Sequence, residues 1–375
     1  MLFKEIIGQF DVKKRLIQSV KERRISHAQL FLGPEGSGKL ALAIAYAQYI
    51  SCTDRQEEDS CGICPSCIKY QKLIHPDLHF FYPIAPTQKF PKPISSNFLP
   101  EWRTALINSN YYLNLNEWYD EIGLENKQGI INANDCNEII KKVSLKPYES
   151  EFKIVIIWIV EKLFHAAAPK LLKNFEEPPE KTLFILISEN RHQILNTILS
   201  RTQLVNIPKI SDEPLENYLS SKFSNIPNIK SITAIANGNY KAAQRLIEEF
   251  EDEKTNFETF RNWMLNCYNS KTIDINKFVD ETSKIGREKQ KALLSYSIRI
   301  FRDCVLMHYG NSSLVKQEQE MKNFLSKFYI FVNPSNILSI NEEFNKSIFH
   351  IERNVNSKLV FMDLSLKMCN LLKIK

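Results

Sequence analysis

No apolar stretch in this 375-residue chain approaches the roughly 18 residues needed to cross a bilayer. The start, Met1-Leu2-Phe3-Lys4-Glu5, lacks a basic segment followed by an apolar run. A helical membrane span and a signal peptide are therefore not expected, and a cytoplasmic protein without a membrane partner is. Charge of one sign is also scarce. A net charge of +6, spread along the chain, is compatible with a nucleic-acid neighbour but does not argue for one. No heptad run or internal repeat stands out. What is present is ordinary for a soluble globular protein: 43% hydrophobic and 25% charged residues, in a chain long enough for two or three domains.

The most informative absence is a single hydroxyl. Gly33-Pro34-Glu35-Gly36-Ser37-Gly38-Lys39 follows a predicted strand, Ala28 to Leu32, and opens a predicted helix, Lys39 to Ile50. Strand, glycine loop and helix together form an anion nest of backbone N–H groups. A working loop of this kind has Ser or Thr after its lysine, as a ligand to the nucleotide's Mg²⁺. Here that residue is Leu40. A second station fails as well. The strand Ile154-Val155-Ile156-Ile157 should end in acidic residues that hold the metal through water and orient the attacking water, but it continues Trp158-Ile159-Val160, with Glu161 as its first acid. Two losses in one site predict a chain that does not hydrolyse ATP efficiently. Gly33, Gly36, Gly38 and Lys39 then have two readings: a decayed loop that binds nothing, or a loop that still takes up nucleotide without metal.

Of eight cysteines, four fall close together, as Cys52, Cys61, Cys64 and Cys67. In a reducing compartment such a cluster points to a metal site before a disulfide framework. Four thiolates suit tetrahedral Zn²⁺, and a closed four-sulfur shell leaves no open position for catalysis, so a structural zinc is expected. His75 and Asp77 lie nearby but have no place in that shell. Redox-active cysteine pairs are the alternative. Further along, Ser200-Arg201-Thr202 places an arginine after a predicted strand and short helix. Alone, such a pair reads as a solvated surface arginine; at a subunit edge it is placed to act as an arginine finger.

Apolar runs at His79 to Tyr82, Lys153 to Val160, Leu183 to Ser188 and Leu204 to Ile207 complete a set of five strands, alternating with helices. The expected fold class is α/β, a mainly parallel five-stranded sheet covered on both faces. Between Pro83 and Ile130 the pattern breaks up around Pro83, Pro86, Pro91 and Pro93, and an insertion of unknown function with short helices of its own is expected. Past Pro208 strand signals end. A small helical unit over 208–245 and an all-helical region over 246–375 follow.

Together these features resemble the AAA+ clamp-loader family of the bacterial DNA polymerase III. The residues that carry the resemblance are Ile7-Gly8-Gln9, His27-Ala28-Gln29-Leu30-Phe31, the glycine loop, the four-cysteine module, Lys170 to Pro179 with its Glu176-Glu177-Pro178-Pro179 end, and Ile198-Leu199-Ser200-Arg201-Thr202, where Thr202 stands at a frequent Cys position. The resemblance covers 1–80 and 131–207 closely and the rest only in helical character. It implies an AAA+ domain over 1–207 with a zinc module at 52–67 and the insertion at 83–130, a helical lid over 208–245 and a collar domain for assembly over 246–375. It also implies a stator-like subunit without productive nucleotide, which places Arg201 in the ATP site of an adjacent gamma or tau subunit. Lys241 would stand where the family has a phosphate-sensing arginine. The implied partners are gamma or tau and delta subunits of the polymerase holoenzyme and, through the complex, the sliding clamp and primer-template DNA. An ATP-hydrolysing gamma- or tau-type subunit and a zinc-containing AAA+-like adaptor outside replication are the alternatives; Leu40 and Trp158 count against the first.

Overall fold

The computed structural model describes residues 1–124, 128–164, 168–223, 226, 229–308 and 319–374. They form two compact units, Met1–Ile247 and Glu248–Lys375.

The first unit is built on a sheet of five parallel strands: β1 (Ala28–Leu32), β2 (Leu78–Phe81), β3 (Lys153–Trp158), β4 (Thr182–Ser188) and β5 (Gln203–Asn206), in spatial order β2-β3-β4-β1-β5. The α/β class and the five parallel strands expected from the sequence are present. β3 and β4 are buried at every position, as strands covered on both faces must be. Successive side chains alternate between two cores. Ile154, Ile156 and Trp158 face one, with α1 (Phe10–Lys21) and α2 (Lys39–Ser51). Val155 and Ile157 face the other, with α6 (Ala133–Val143) and α7 (Ala168–Glu176). β3 stops at Trp158, two residues short of the expected Val160. Ile159 has a φ of 57°, which breaks the extended path, and Val160–Lys162 turns as a 3-10 helix.

The segment 83–130 is closed at its base by a two-way backbone bridge between Ile84 and Ile130. It carries α4 (Leu99–Asn108) and α5 (Leu115–Glu121), while 125–127 lie outside the described residues. Its role is partly to complete the core. Trp102 and Trp118 are fully buried; Trp102 stacks on Tyr82 at 4.1 Å between centroids, meets Trp118 at 5.1 Å and reaches Trp158 at 5.2 Å. Trp158, the residue at the failed acidic station, is thus a core aromatic packed on the insertion. Trp102→Ala should lower the unfolding free energy of this unit by about 3–5 kcal/mol in denaturant titration. Trp102→Phe should cost far less, because the Trp102 indole N–H has no partner to lose. A Trp102→Ala loss under about 1 kcal/mol would show that the cluster is loosely packed.

Past β5 come α9 (Asp212–Lys222), α10 (Ile229–Ala236) and α11 (Tyr240–Tyr268), whose start belongs to the first unit. The second unit is all-helical among its described residues: α12 (Thr272–Thr282), α13 (Arg287–His308), α14 (Gln319–Phe328), α15 (Ile337–Glu352) and α16 (Ser357–Leu371). Its core is rich in aromatics: Phe260 meets Phe301 and Phe328 edge to face, and Trp263 packs against Phe278, Phe344 and Phe361.

Candidate functional site: a phosphate loop, a cysteine cluster and an edge arginine

The loop 33–38 leaves the carboxyl end of β1 and turns into α2, as a phosphate loop does. Gly36 and Gly38 have φ of 71° and 85°. Space adds to the conformational need: a Cβ on Gly36 would lie 1.9 Å from Asn239 Oδ1, and one on Gly38 would lie 3.2 Å from the Tyr112 ring. The loop is therefore covered by the chain itself. Leu40 is buried in the adjacent core and offers no oxygen.

Lys39 does not point into open solvent. Its side chain is only 5% exposed, its Nζ donates to the Pro34 carbonyl at 2.6 Å, and it pairs with Glu189 Oε1 at 3.3 Å. Burial pushes the Lys39 ammonium below its usual value, and the carboxylates of Glu189, Glu161 and Glu35 oppose that shift. Burial raises the Glu189 carboxyl in turn, against the pull of Lys39. Glu161 folds back toward the loop, and its Oε1 accepts the Glu189 N–H at 3.0 Å. Gln9 closes the base, donating to the carbonyls of Ser37 at 3.0 Å and Pro208 at 2.7 Å. Three buried atoms around the loop, Ser37 Oγ, Gln9 Oε1 and Glu161 Oε2, have no protein partner.

The structure brings Gly33, Gly36, Gly38 and Lys39 together as the motif requires. Sequence reading missed Glu189, Tyr112 and Asn239. Glu189 carried one usable signal, since it directly follows the strand that neighbours the loop strand. Tyr112 and Asn239 carried none.

Cys52, Cys61, Cys64 and Cys67 converge, their Sγ atoms all within 4.8 Å of one another. Tetrahedral zinc with bonds of ~2.3 Å requires sulfurs about 3.8 Å apart. The contacts Cys52–Cys61 at 3.5 Å, Cys61–Cys67 at 3.9 Å and Cys52–Cys64 at 4.0 Å lie close to that value. The backbone N–H groups of Cys61, Cys64 and Cys67 each donate to the Sγ of a preceding cysteine, at 3.3–3.4 Å. Cys64 is also the N-cap of α3 (Pro65–Gln71). Burial pushes the Cys64 thiol up, but hydrogen bonds from Thr53 and Cys67 outweigh it and bring it down to about 6. The donor set fits a metal ion. His75 and Asp77 stand apart from it: Asp77 accepts the N–H groups of Tyr148, Glu149 and Ser150 at 2.6–2.9 Å.

Arg201 follows the short α8 (Asn196–Leu199). Its Nε donates to Glu176, the last residue of α7, and its Nη1 to the Thr197 carbonyl at 2.9 Å. Its side chain is 28% exposed. Lys241, at the position of the expected phosphate-sensing residue, pairs with Glu117 Oε1 at 2.6 Å.

The family model described as DNA polymerase III, delta subunit, matches residues 8–211. The chain is 26% identical over 302 residues to the DNA polymerase III subunit delta' of Bacillus subtilis, covering 80% of this chain and 78% of that one. It is 28% identical over 246 residues to the delta' subunit of Haemophilus influenzae, covering 65% and 62%. The B. subtilis subunit tau is 26% identical over 213 residues, covering 57% of this chain and 30% of its own. This chain thus spans most of the B. subtilis delta' subunit and under a third of tau.

Proposed function

Because this chain belongs to the DNA polymerase III delta-subunit family, we propose that it serves as the delta-prime-type subunit of a clamp loader in DNA replication. In this role it is a cytoplasmic AAA+ protein that hydrolyses no ATP and works within the polymerase holoenzyme alongside gamma or tau and delta subunits. Together they load the sliding clamp onto primer-template DNA. The segment 208–245 acts as lid, 246–375 as the collar that joins the ring, and the cysteine cluster at 52–67 holds a structural zinc. Arg201 reaches across to the ATP of a neighbour.

One observation carries the choice of a non-hydrolysing subunit: Lys39, the phosphate-binding lysine, is already engaged by the Pro34 carbonyl and by Glu189. A triphosphate brought to this loop would face Glu35, Glu161 and Glu189, and unlike an ordinary site it would have no Mg²⁺ held by Leu40 or Trp158 to offset its charge. Like charges at close range in a partly buried site repel strongly. The same residues count against the gamma- or tau-type alternative.

The isolated chain should therefore show ATPase activity near background, and it should co-purify with the gamma or tau and delta subunits of its own cell. Robust Mg²⁺-dependent turnover by a preparation free of other ATPases would overturn the reading.

A further inference from the structure

The segment 83–130 has no counterpart in the role just described, yet three of its residues reach the phosphate loop and the helices beyond it. Tyr112 is buried against Gly38, and its hydroxyl accepts the Ile7 N–H at 3.0 Å. The same ring packs on Tyr240, the first residue of α11, at 4.7 Å between centroids. Asn110 donates to the Tyr218 hydroxyl on α9 at 3.1 Å. Glu117, on α5, pairs with Lys241 on α11, whose side chain is only 5% exposed. The loop also touches α11 directly, since the Tyr240 N–H donates to the Gly36 carbonyl at 3.3 Å and Asn239 Oδ1 lies against Gly36.

These contacts have a common sense. The family resemblance puts Lys241 at a phosphate-sensing position, so a triphosphate on a working loop would be the anion between it and the loop lysine. Here each cation has a protein carboxylate in its place: Glu189 for Lys39 and Glu117 for Lys241. Tyr112 adds an aromatic body between the loop and the first residue of α11. We propose that residues 110–117 of the insertion are a built-in substitute for nucleotide, holding α9, α10 and the start of α11 against the loop in one position whether or not ATP is present. The inference rests on the reading of the loop as disabled, and it assigns the insertion its task. It also explains why Lys241 is retained as a cation in a site that needs no phosphate sensor: the charge is used by the clamp.

Hydrogen exchange of the purified full-length chain tests this. In the wild type, exchange over 212–222 and 229–247 should be slow and unchanged by MgATP. Glu117→Gln keeps an acceptor for the Asn114 N–H at the start of α5, so the capping box there survives. It removes the charge that faces a buried lysine, and exchange in α10 and the start of α11 should rise roughly ten-fold or more while β3 and β4 stay protected. Tyr112→Ala should loosen the same helices together with 33–38. Glu117→Gln with wild-type exchange in these helices would overturn the inference and leave the disabled-loop reading standing. Slowing of wild-type exchange by MgATP would overturn both.

Discussion

Stripping the expected zinc from the purified protein, or replacing Cys64 by Ser, should lower its thermal stability measurably, because the free energy of binding a structural metal is free energy of folding, and each kcal/mol lost shifts the midpoint of a unit of this size by about 2–4 °C. The metal analysis of untreated protein should give close to one zinc per chain. Serine is the informative replacement. Cys64 caps α3 through its sulfur, accepting the Cys67 N–H at 3.4 Å, and serine is itself a favoured cap. The cap survives, so the measured loss reports the opened metal shell. The damage should spread in a defined direction. Asp59, inside the cysteine loop, accepts the N–H groups of Phe3 and Lys4 at 3.0 Å each. Without metal, residues 3–7 should become as open to protease as 52–67. A wild-type protein that is stable and metal-free as purified would end the zinc reading.

Arg201→Ala should produce the second large effect, and only in the assembled complex. The side chain makes one ion pair with Glu176 at a half-exposed site, a class of contact worth ~0–1 kcal/mol, so the isolated variant should fold, keep its zinc and assemble normally. Arginine fingers typically contribute about 10³–10⁵ to the rate at the ATP site they serve. On the proposed role Arg201 serves one of several sites, so the clamp- and DNA-stimulated ATPase of the whole complex should fall by less than that range, and clamp loading with it. Lys should rescue poorly, since it lacks the planar fork with several donors. If the fully assembled Ala variant loaded clamps at the wild-type rate, Arg201 would be a surface arginine and nothing more.

Which features could be read before folding follows from the distance over which each is encoded. β1, β3 and β4 announce themselves as apolar runs because both faces of the sheet are covered, and the cysteine spacing defines its cluster within sixteen residues of chain. The apolar pattern puts β5 one residue late, at Leu204 to Ile207, because it is an exposed edge strand with a weaker apolar signal. The pattern overruns the end of β3 because Val160 is as apolar as the strand before it, and only the backbone at Ile159 turns. The closure of the phosphate loop was hidden for a different reason. Lys39 and Glu189 are 150 positions apart, and Ile7 and Tyr112 are 105 apart. No local periodicity records such pairs; they exist only once the sheet order brings β4 beside β1 and the insertion folds back over α2.

The distribution of tryptophan gives the molecule two independent optical probes. Of the four indoles, Trp102, Trp118 and Trp158 belong to one cluster in the first unit, and Trp263 sits alone in the core of the second. Rings that close exchange excitation and couple their transitions, so the cluster should dominate the near-ultraviolet dichroism and lose it as a block when the insertion detaches. Trp263 stacks on Phe278 at 4.6 Å and donates its N–H to Ser365 at 2.8 Å, a dry and fixed setting whose emission should shift to the red when the second unit opens. A Trp263→Phe chain would then report the first unit alone. Comparing its denaturation curve with that of the parent would show whether the two units melt together or one after the other.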